Sequence, residues 1–305
     1  MMYEIPVLLV GFNRPDLFEQ TLECILSITP QKLYISIDGP RKNNIDDLSK
    51  IKEIKHIVKT KIPNDVELYT RYHKNNVGAE VNVSTAISWA FENEDKLVIF
   101  EDDIIVDKVF FEFTRDMLYE YETNQEIFMI SGCNFSDEVM SYETDYVFSK
   151  YGHTYGWATW KDRWDNFDLN IDVNISFKDF FKMKSDFDTW TQTLFHFNKF
   201  RRMMRKGKGN NSWDACFSYY MRINGFLGIV PAKNLTKNIG IYGLHSSGKT
   251  YHMRKIYPDF QYNTKPRFIQ RNLIYDKLHF KNHFSHSYPF WRALKNVINS
   301  LINKN

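Results

Sequence analysis

The residues with the most chemistry in them stand in one run, Leu97-Val98-Ile99-Phe100-Glu101-Asp102-Asp103. Four apolar residues lead straight into three carboxylates. A short unbroken apolar run bounded by polar residues has the character of a fully buried central strand. Three acids cannot stay charged together in such an interior, because each needs a partner or must give up its charge. Setting them at the strand's C-terminal end, facing a bound cation, meets both demands. Carboxylates of this kind suit Mg²⁺ or Mn²⁺, and those ions suit phosphate oxygens. An acidic turn between a strand and the next helix fits the spacing equally well, so the surrounding elements must decide.

Those elements alternate. Pro6-Val7-Leu8-Leu9-Val10 reads as a strand closed by Gly11, and Pro15 suits the first turn of a helix, where its missing N–H costs nothing. The helix continues through Leu17, Phe18, Leu22, Ile25 and Leu26. Residues 32–37 alternate as a second strand and end in the turn Asp38-Gly39-Pro40. A helix with Leu48, Ile51, Ile54 and Val58 on one face comes next, then a strand through Val66, Leu68, Thr70 and Tyr72. The turn Asn75-Asn76-Val77-Gly78 leads to a helix carrying Ala86, Ile87, Ala90 and Phe91, and then to the acid-tipped strand. Strands alternating with helices imply an α/β protein with a Rossmann-like, mostly parallel central sheet covered by helices on both faces. Ligands of such sheets bind beyond the C-terminal strand ends, so Arg14, Asp38 and the acid triplet should gather on one edge. No Gly-x-Gly-x-x-Gly comes after the first strand, which argues against a dinucleotide site.

Composition narrows the function. The chain has 305 residues, 40 Lys+Arg against 37 Asp+Glu, and a net charge of +3, a balance that gives no reason to expect a nucleic-acid partner. Hydrophobic residues at 43% supply a sizeable core. Cys24, Cys133 and Cys216 are far apart and lack metal spacing, which fits a reducing compartment. No signal-peptide pattern and no apolar run long enough to span a bilayer is present, so a cytoplasmic location is expected.

The ordered set Phe12-Asn13-Arg14-Pro15, Ile37-Asp38-Gly39-Pro40 and Phe100-Glu101-Asp102-Asp103 resembles the GT-A-fold inverting glycosyltransferases, and within them the N-acetylglucosaminyltransferase I family, whose acid triplet is also Glu-Asp-Asp. The likeness continues through Val109-Phe110-Phe111-Glu112-Phe113, Tyr155-Gly156-Trp157-Ala158-Thr159-Trp160 and Ser212-Trp213-Asp214, and covers residues 5–250. The animal enzyme's membrane anchor has no counterpart here, and its second Asp after Trp is Ala215. The resemblance therefore implies a bacterial-type transferase of surface polysaccharide or lipopolysaccharide synthesis. It implies a UDP-sugar donor, UDP-N-acetylglucosamine first, and a glycan or lipid-linked glycan acceptor. It assigns Mn²⁺ or Mg²⁺ to Asp103, the donor's sugar and ribose to Glu101 and Asp102, the uracil edge to Asp38, the nucleotide's side to Arg14, with Phe12 and Trp213 beside the donor, and the catalytic base to Asp214. Residue chemistry alone reads Asp214 as a helix N-cap, a role that lowers a carboxylate's pKa and weakens it as a base.

In the second half, residues 107–121 read as a helix and 127–130 as a strand, and 134–175, rich in Tyr, Trp, Asp and Gly, as loops and short strands on the acceptor side. Trp157, Trp160 and Trp164 are candidates to stack on a sugar, although most such rings are packing. The basic stretch 199–208 reads as a solvated helix end, with a contact to phosphate or anionic lipid as the alternative. Gly243-Leu244-His245-Ser246-Ser247-Gly248-Lys249-Thr250 matches G-x-x-x-x-G-K-T. That pattern works only between a core strand and a long helix, and Pro258 interrupts the segment where such a helix would run. It reads as chance or as a glycine loop over the donor, where His245 would join the metal or the diphosphate. Residues 289–305 form an amphipathic helix that packs on the catalytic domain or lies on the inner membrane face. The expected organisation is a nucleotide-sugar half (1–133), an acceptor and catalytic half of the same domain (134–284), and the C-terminal helix (285–305). Rival readings are a sugar-nucleotide nucleotidyltransferase, a catalytically silent glycan-binding module and a P-loop ATPase.

Overall fold

A computed structural model describes residues 2–137, 143–167, 177–186, 189–203, 213–240, 254–284 and 294. The first half folds as its periodicity predicts, in the order β1 (Val7–Gly11), α1 (Pro15–Leu26), β2 (Lys32–Ile37), α2 (Ile45–Lys61), β3 (Glu67–Tyr72), α3 (Ala79–Ala90) and β4 (Lys96–Glu101). Alternate residues of β1 point to opposite faces. Val7 and Leu9 pack with Phe18, Leu22 and Ile25 of α1 and with α2, while Leu8 and Val10 pack with Val83, Ala86 and Ile87 of α3. The strand is buried on both faces, which is why it carries no polar alternation. One expected core residue of α2 lies outside: Leu48 is 47% exposed, and Ile57 joins Ile51, Ile54 and Val58 instead.

The chain continues with β5 (Ile104–Val106), α4 (Lys108–Glu120), β6 (Ile127–Ser131), β7 (Tyr146–Ser149), β8 (Trp157–Trp160), α5 (Lys161–Asp165), α6 (Phe177–Asp186), α7 (Trp190–Met203) and α8 (Trp213–Ile223). It ends, within the described residues, with β9 (Leu227–Pro231), β10 (Thr236–Asn238), α9 (Leu273–His279) and a π-helical turn over Phe280–Phe284. Eight strands form one sheet in the order β3-β2-β1-β4-β8-β6-β9-β7. Pairings from β3 to β4 are parallel, β8 runs antiparallel between β4 and β6, β9 is parallel to β6, and β7 is antiparallel to β9. Six strands thus share one direction, the mostly parallel α/β sheet expected. β10 pairs with β5 in a separate two-stranded ribbon.

The stretch read as acceptor-side loops contains a strand at the sheet's centre. Lys96 to Ile99 of β4 pair with Trp160 to Trp157 of β8, so residues from both halves of the chain build one layer. This corrects the sugar-stacking candidates. Trp157 and Trp160 are 1% and 2% exposed and Trp164 is 5% exposed. Two of the three ring N–H groups are taken: Trp160 Nε1 donates to Leu118 O at 2.9 Å, and Trp164 Nε1 to Ser88 Oγ at 2.9 Å. The basic stretch also begins differently, for α7 runs to Met203 with Phe200 and Arg201 buried, and the rest of it lies outside the described residues. Replacing a fully buried Trp by Ala costs about 3–5 kcal/mol. Trp157→Ala should show a loss of that size in urea denaturation, and an unchanged midpoint would return the ring to the sugar-binding candidates.

Candidate active site at the C-terminal edge of the sheet

β1 and β4 are neighbours with Val10 opposite Glu101, which sets the short connection 12–14 directly beside the acids. Each of its residues is tied down. The Phe12 N–H points at Asp102 Oδ2 at 3.4 Å. Asn13 Nδ2 donates to Asp47 Oδ1 at 2.7 Å, and Arg41 donates to the same buried carboxylate through Nε at 2.7 Å and Nη2 at 2.8 Å. Those bonds from Arg41, ahead of the opposing effect of burial, hold Asp47 well below the usual carboxylate range. The Arg41 guanidinium also lies 5.5 Å from the Phe12 ring centroid. Arg14 reaches across to both aspartates, with Nη1 2.9 Å from Asp103 Oδ2 and Nη2 and Nε on Asp102.

Asp38 has a structural duty on this edge. Its carboxylate accepts the Gly39 N–H at 2.7 Å, Asn76 Nδ2 at 2.8 Å, the Val77 N–H at 2.8 Å and the Gly78 N–H at 2.9 Å. Four donors fill the acceptor capacity of a carboxylate. Asp38 is 3% exposed, so it stitches the β2–α2 turn to the β3–α3 turn and has no lone pair left for a base edge. Gly39 permits that stitch: a Cβ there would stand 2.4 Å from the Asn75 carbonyl carbon.

The acid triplet divides its charge unevenly. Burial, reinforced by Asp103, Asp102 and Asp214, pushes Glu101 up to about 8, against the pull of Arg14. Glu101 therefore carries its proton at neutral pH and can donate a hydrogen bond. Burial also pushes Asp102 up, opposed by Arg14. Burial alone would lower Arg14, but Asp102 and Asp103 overcome it and raise its pKa, so its charge is secure.

Asp103 is roofed by the segment leaving β10. Its backbone carbonyl accepts the Ile239 N–H at 2.8 Å, and Asn238 Nδ2 lies 3.4 Å from its Oδ1. A Cβ on Gly240 would fall 2.1 Å from Asp103 Oδ2, so only glycine lets the backbone come so close. Among the described residues no three His, Cys, Asp or Glu side chains converge as a metal cage. Asp102 and Asp103 do match the other mode of binding Mg²⁺ or Mn²⁺, one or two carboxylates with the rest of the shell from phosphate and water. Their oxygens are engaged by Arg14, and a divalent ion would have to displace it.

The base candidate comes from the other half. Asp214 and Trp213 open α8, and a cavity of about 370 Å³ is lined by Asp214, Trp213, Glu101, Glu80 and Tyr155 among others. Trp213 is 5% exposed and stacks on Trp157 at 5.8 Å. The Trp213 N–H donates to the carboxylate of Glu80, from the first turn of α3. Glu80 thus serves the start of α8, the duty that residue chemistry gave to Asp214. Asp214 is exposed at the cavity and close enough to Glu101 and Tyr155 to raise both.

The structure therefore brings Arg14, Phe12, Glu101, Asp102, Asp103, Trp213 and Asp214 to one edge, with Asp38 beneath it. His245, the glycine-rich segment around it and the tail 289–305, apart from Leu294, lie outside the described residues. Sequence reasoning missed Glu80, Asn238 and Gly240. Glu80 had a signal, an acid in the first turn of a helix, whereas the other two have none without the pairing of β10 with β5.

Fold and edge together define an α/β protein with a Rossmann-like sheet and a cleft that reaches Glu101 at the C-terminal end of β4. No protein-family model and no curated protein matches the sequence. Among solved structures, the chain is similar to a UDP-glucose pyrophosphorylase from Acinetobacter baumannii, at 10% identity and a TM-score of 0.39 over 78% of this chain and 88% of that one. It is also similar to a 4-diphosphocytidyl-2C-methyl-D-erythritol synthase from Anaerococcus prevotii, at 11% identity and a TM-score of 0.33 over 52% and 72%. A third, HddC from Yersinia pseudotuberculosis, gives 13% identity and a TM-score of 0.31 over 57% and 87%. Overlaps this loose transfer no activity. Among the described residues no helix is long and apolar enough to cross a membrane.

The charge balance has two measurable consequences. Arg14→Met removes the cation that competes for the aspartates, and losing even one charge-assisted hydrogen bond is worth about tenfold in affinity. The variant should bind Mn²⁺ about tenfold tighter than wild type by calorimetry without nucleotide; weaker binding would mean that Arg14 assists the ion. Glu101 titrates at about 8 in the fold against an ordinary 4.5, so the folded state holds an extra proton between those values and stability falls as pH rises through that window. Glu101→Gln should flatten that slope in denaturation curves taken with chelator from about pH 4 to about pH 9, a range that brackets the window. Parallel curves for the two proteins would refute the shift.

Proposed function

We propose that the protein is a metal-dependent inverting glycosyltransferase of GT-A type that moves a sugar from a UDP-sugar, N-acetylglucosamine or a related hexose, to a hydroxyl of a glycan or lipid-linked glycan. Residues 1–133 serve as the donor half and 134–284 as the acceptor half. The observation that carries this reading is that Glu101, beside the aspartates, and Asp214, from the other half, line one cavity. Mn²⁺ or Mg²⁺ on Asp103 and Asp102 would supply charge stabilisation for a departing diphosphate. Arg14, freed from the aspartates, is placed to take a phosphate oxygen, as arginine commonly does. Phe12 lies beside the base. Glu101 hydrogen-bonds the donor sugar, and Asp38 keeps the two turns of the base pocket together. Asp214 removes the proton from the acceptor hydroxyl, whose oxygen bonds to the anomeric carbon as the bond to the phosphate oxygen breaks. The diphosphate leaves with the electron pair and the anomeric configuration inverts. Surface polysaccharide or lipopolysaccharide synthesis on the cytoplasmic side of a membrane is the setting we assign.

Nucleotidyl transfer to a sugar phosphate is the second reading, since it would use the same edge and acids. Against it stands the three-residue connection 12–14, each residue already tied, where that reaction calls for a longer glycine-rich basic loop. The products decide: UDP released from a UDP-sugar with Mn²⁺ supports the first reading, and pyrophosphate released from UTP and a sugar 1-phosphate overturns it. Asp214→Asn should lower transfer by about 10²–10⁴-fold, the usual worth of a general base, with UDP binding retained. Loss of UDP binding in that variant would make Asp214 structural.

A further inference from the structure

Charge is not spread evenly along the chain. Residues 261–305 hold eight Lys or Arg against one acid, Asp276, whereas residues 1–260 hold 32 against 36. The net +3 of the whole therefore comes entirely from the C-terminal stretch, an asymmetry of the kind that points to an anionic partner. Asp276 does not offset it at the surface, being 2% exposed and taken up by Arg271 and by Ser149 Oγ of β7. Acids of neighbouring elements meet only the start of the stretch in the described residues. Glu120 pairs with Lys265 at 2.6 Å, Asp116 accepts the Tyr262 hydroxyl at 2.9 Å, and Asp145 accepts the Thr264 N–H at 2.7 Å. From residue 266 to residue 284 the exposed charged residues, Arg267, Lys277 and Lys281, are all cations.

The same part of the chain leaves large apolar side chains outside. α9 buries Tyr275, Asp276 and His279, and Tyr275 packs with Val147 of β7 and Val230 of β9. Its opposite face carries Leu273 and Ile274, 48% and 65% exposed, with Lys277 one turn further on. Phe268, on the loop leading into the helix, is 66% exposed, and the Arg267 guanidinium lies 5.2 Å from its ring centroid. A single exposed apolar side chain is ordinary, but several in one short stretch, interleaved with cations, mark a surface that meets another.

We propose that this face docks on a bilayer containing anionic phospholipid. Phe268, Leu273 and Ile274 enter the boundary between headgroups and acyl chains, and Arg267, Lys277 and Lys281 lie among the headgroup phosphates. A nucleic acid would use the cations and leave the apolar side chains in water. The inference stands without the transfer reading and adds to it. α9 runs directly into the turn that gives His283 to the cavity lining, so docking brings the cavity to the membrane in which a lipid-linked acceptor is held.

The test sediments the whole chain with vesicles of phosphatidylcholine alone and of phosphatidylcholine with about one-third phosphatidylserine. Binding to the anionic vesicles should be at least about tenfold tighter, and it should fall when salt is raised from about 0.1 M to about 0.5 M. Lys277→Gln should weaken it about fivefold, the worth of one cation at such a surface. Ile274→Ser should weaken it about tenfold, through the apolar area no longer buried. Phe268→Ser, on the loop, gives the same reading should Ile274→Ser not fold. No preference for anionic vesicles overturns the face. So does a preference that none of these variants weakens, the result expected if residues 289–305 alone held the vesicle. A dimer in vesicle-free sedimentation that Ile274→Ser converts to monomer also overturns it, and makes the face an interface between copies. UDP binding is measured separately, without vesicles. Its absence beside intact vesicle binding would sink the transfer reading alone.

Discussion

Everything on this edge stems from putting three carboxylates at the end of a strand that is buried on both faces. Charges a few ångströms apart in a poorly hydrated site repel by several kcal/mol, far more than a surface pair would. One arginine cannot neutralise three acids. The protein resolves this in two ways at once: Arg14 spans Asp102 and Asp103, and Glu101 keeps its proton. What results is an edge loaded with a cation that can leave and an acid that can donate. Pairing by Arg14 keeps the fold tolerable without any ligand, and the same pairing makes the aspartates available only to something that offers them a better cation.

Such an arrangement needs Arg14 delivered accurately, and a three-residue connection could wander. The polar scaffold around it prevents that. Asn13 is fastened to Asp47, which is itself held by Arg41, and the parallel register of β1 against β4 fixes the height of the connection over the acids. Asp38 does the same for the neighbouring turns. Buried polar groups satisfied this fully rigidify a site, whereas a half-satisfied network would weaken it. The apolar sheet sets positions to within a residue, and the buried carboxylates Asp38 and Asp47 set the loops.

What was legible in the sequence was what is local. β1 to β4 and the helices between them can be read from apolar runs and stripes, and the convergence of Arg14 with the triplet from strand ends sharing one edge. Residues whose roles depend on distant chain were not legible. Trp157 and Trp160 look like sugar platforms until β8 is seen paired between β4 and β6, a placement that so short a strand cannot announce. Asp38 looked free for a ligand because most of its donors come from residues 76–78. Leu48 sits on the helical stripe of α2 but stands exposed near the helix start, while Ile57, farther along, is buried. Gly240 carries no motif at all, because its constraint is the carboxylate of Asp103, more than a third of the chain away.

α8 shows why the site and the fold are not at odds. A helix carries partial positive charge at its N-terminus and negative at its C-terminus, which favours acids in the first turn and bases in the last. Asp214 and the Glu80 carboxylate on the Trp213 N–H stand at the first end, and Arg222 at the second. The order of charges along the cavity wall is therefore the order that stabilises the helix. An acid at one end and Arg222 at the other suit the backbone of α8, which favours each where it stands. Reversing that order would set each charge against the dipole of the helix that carries it.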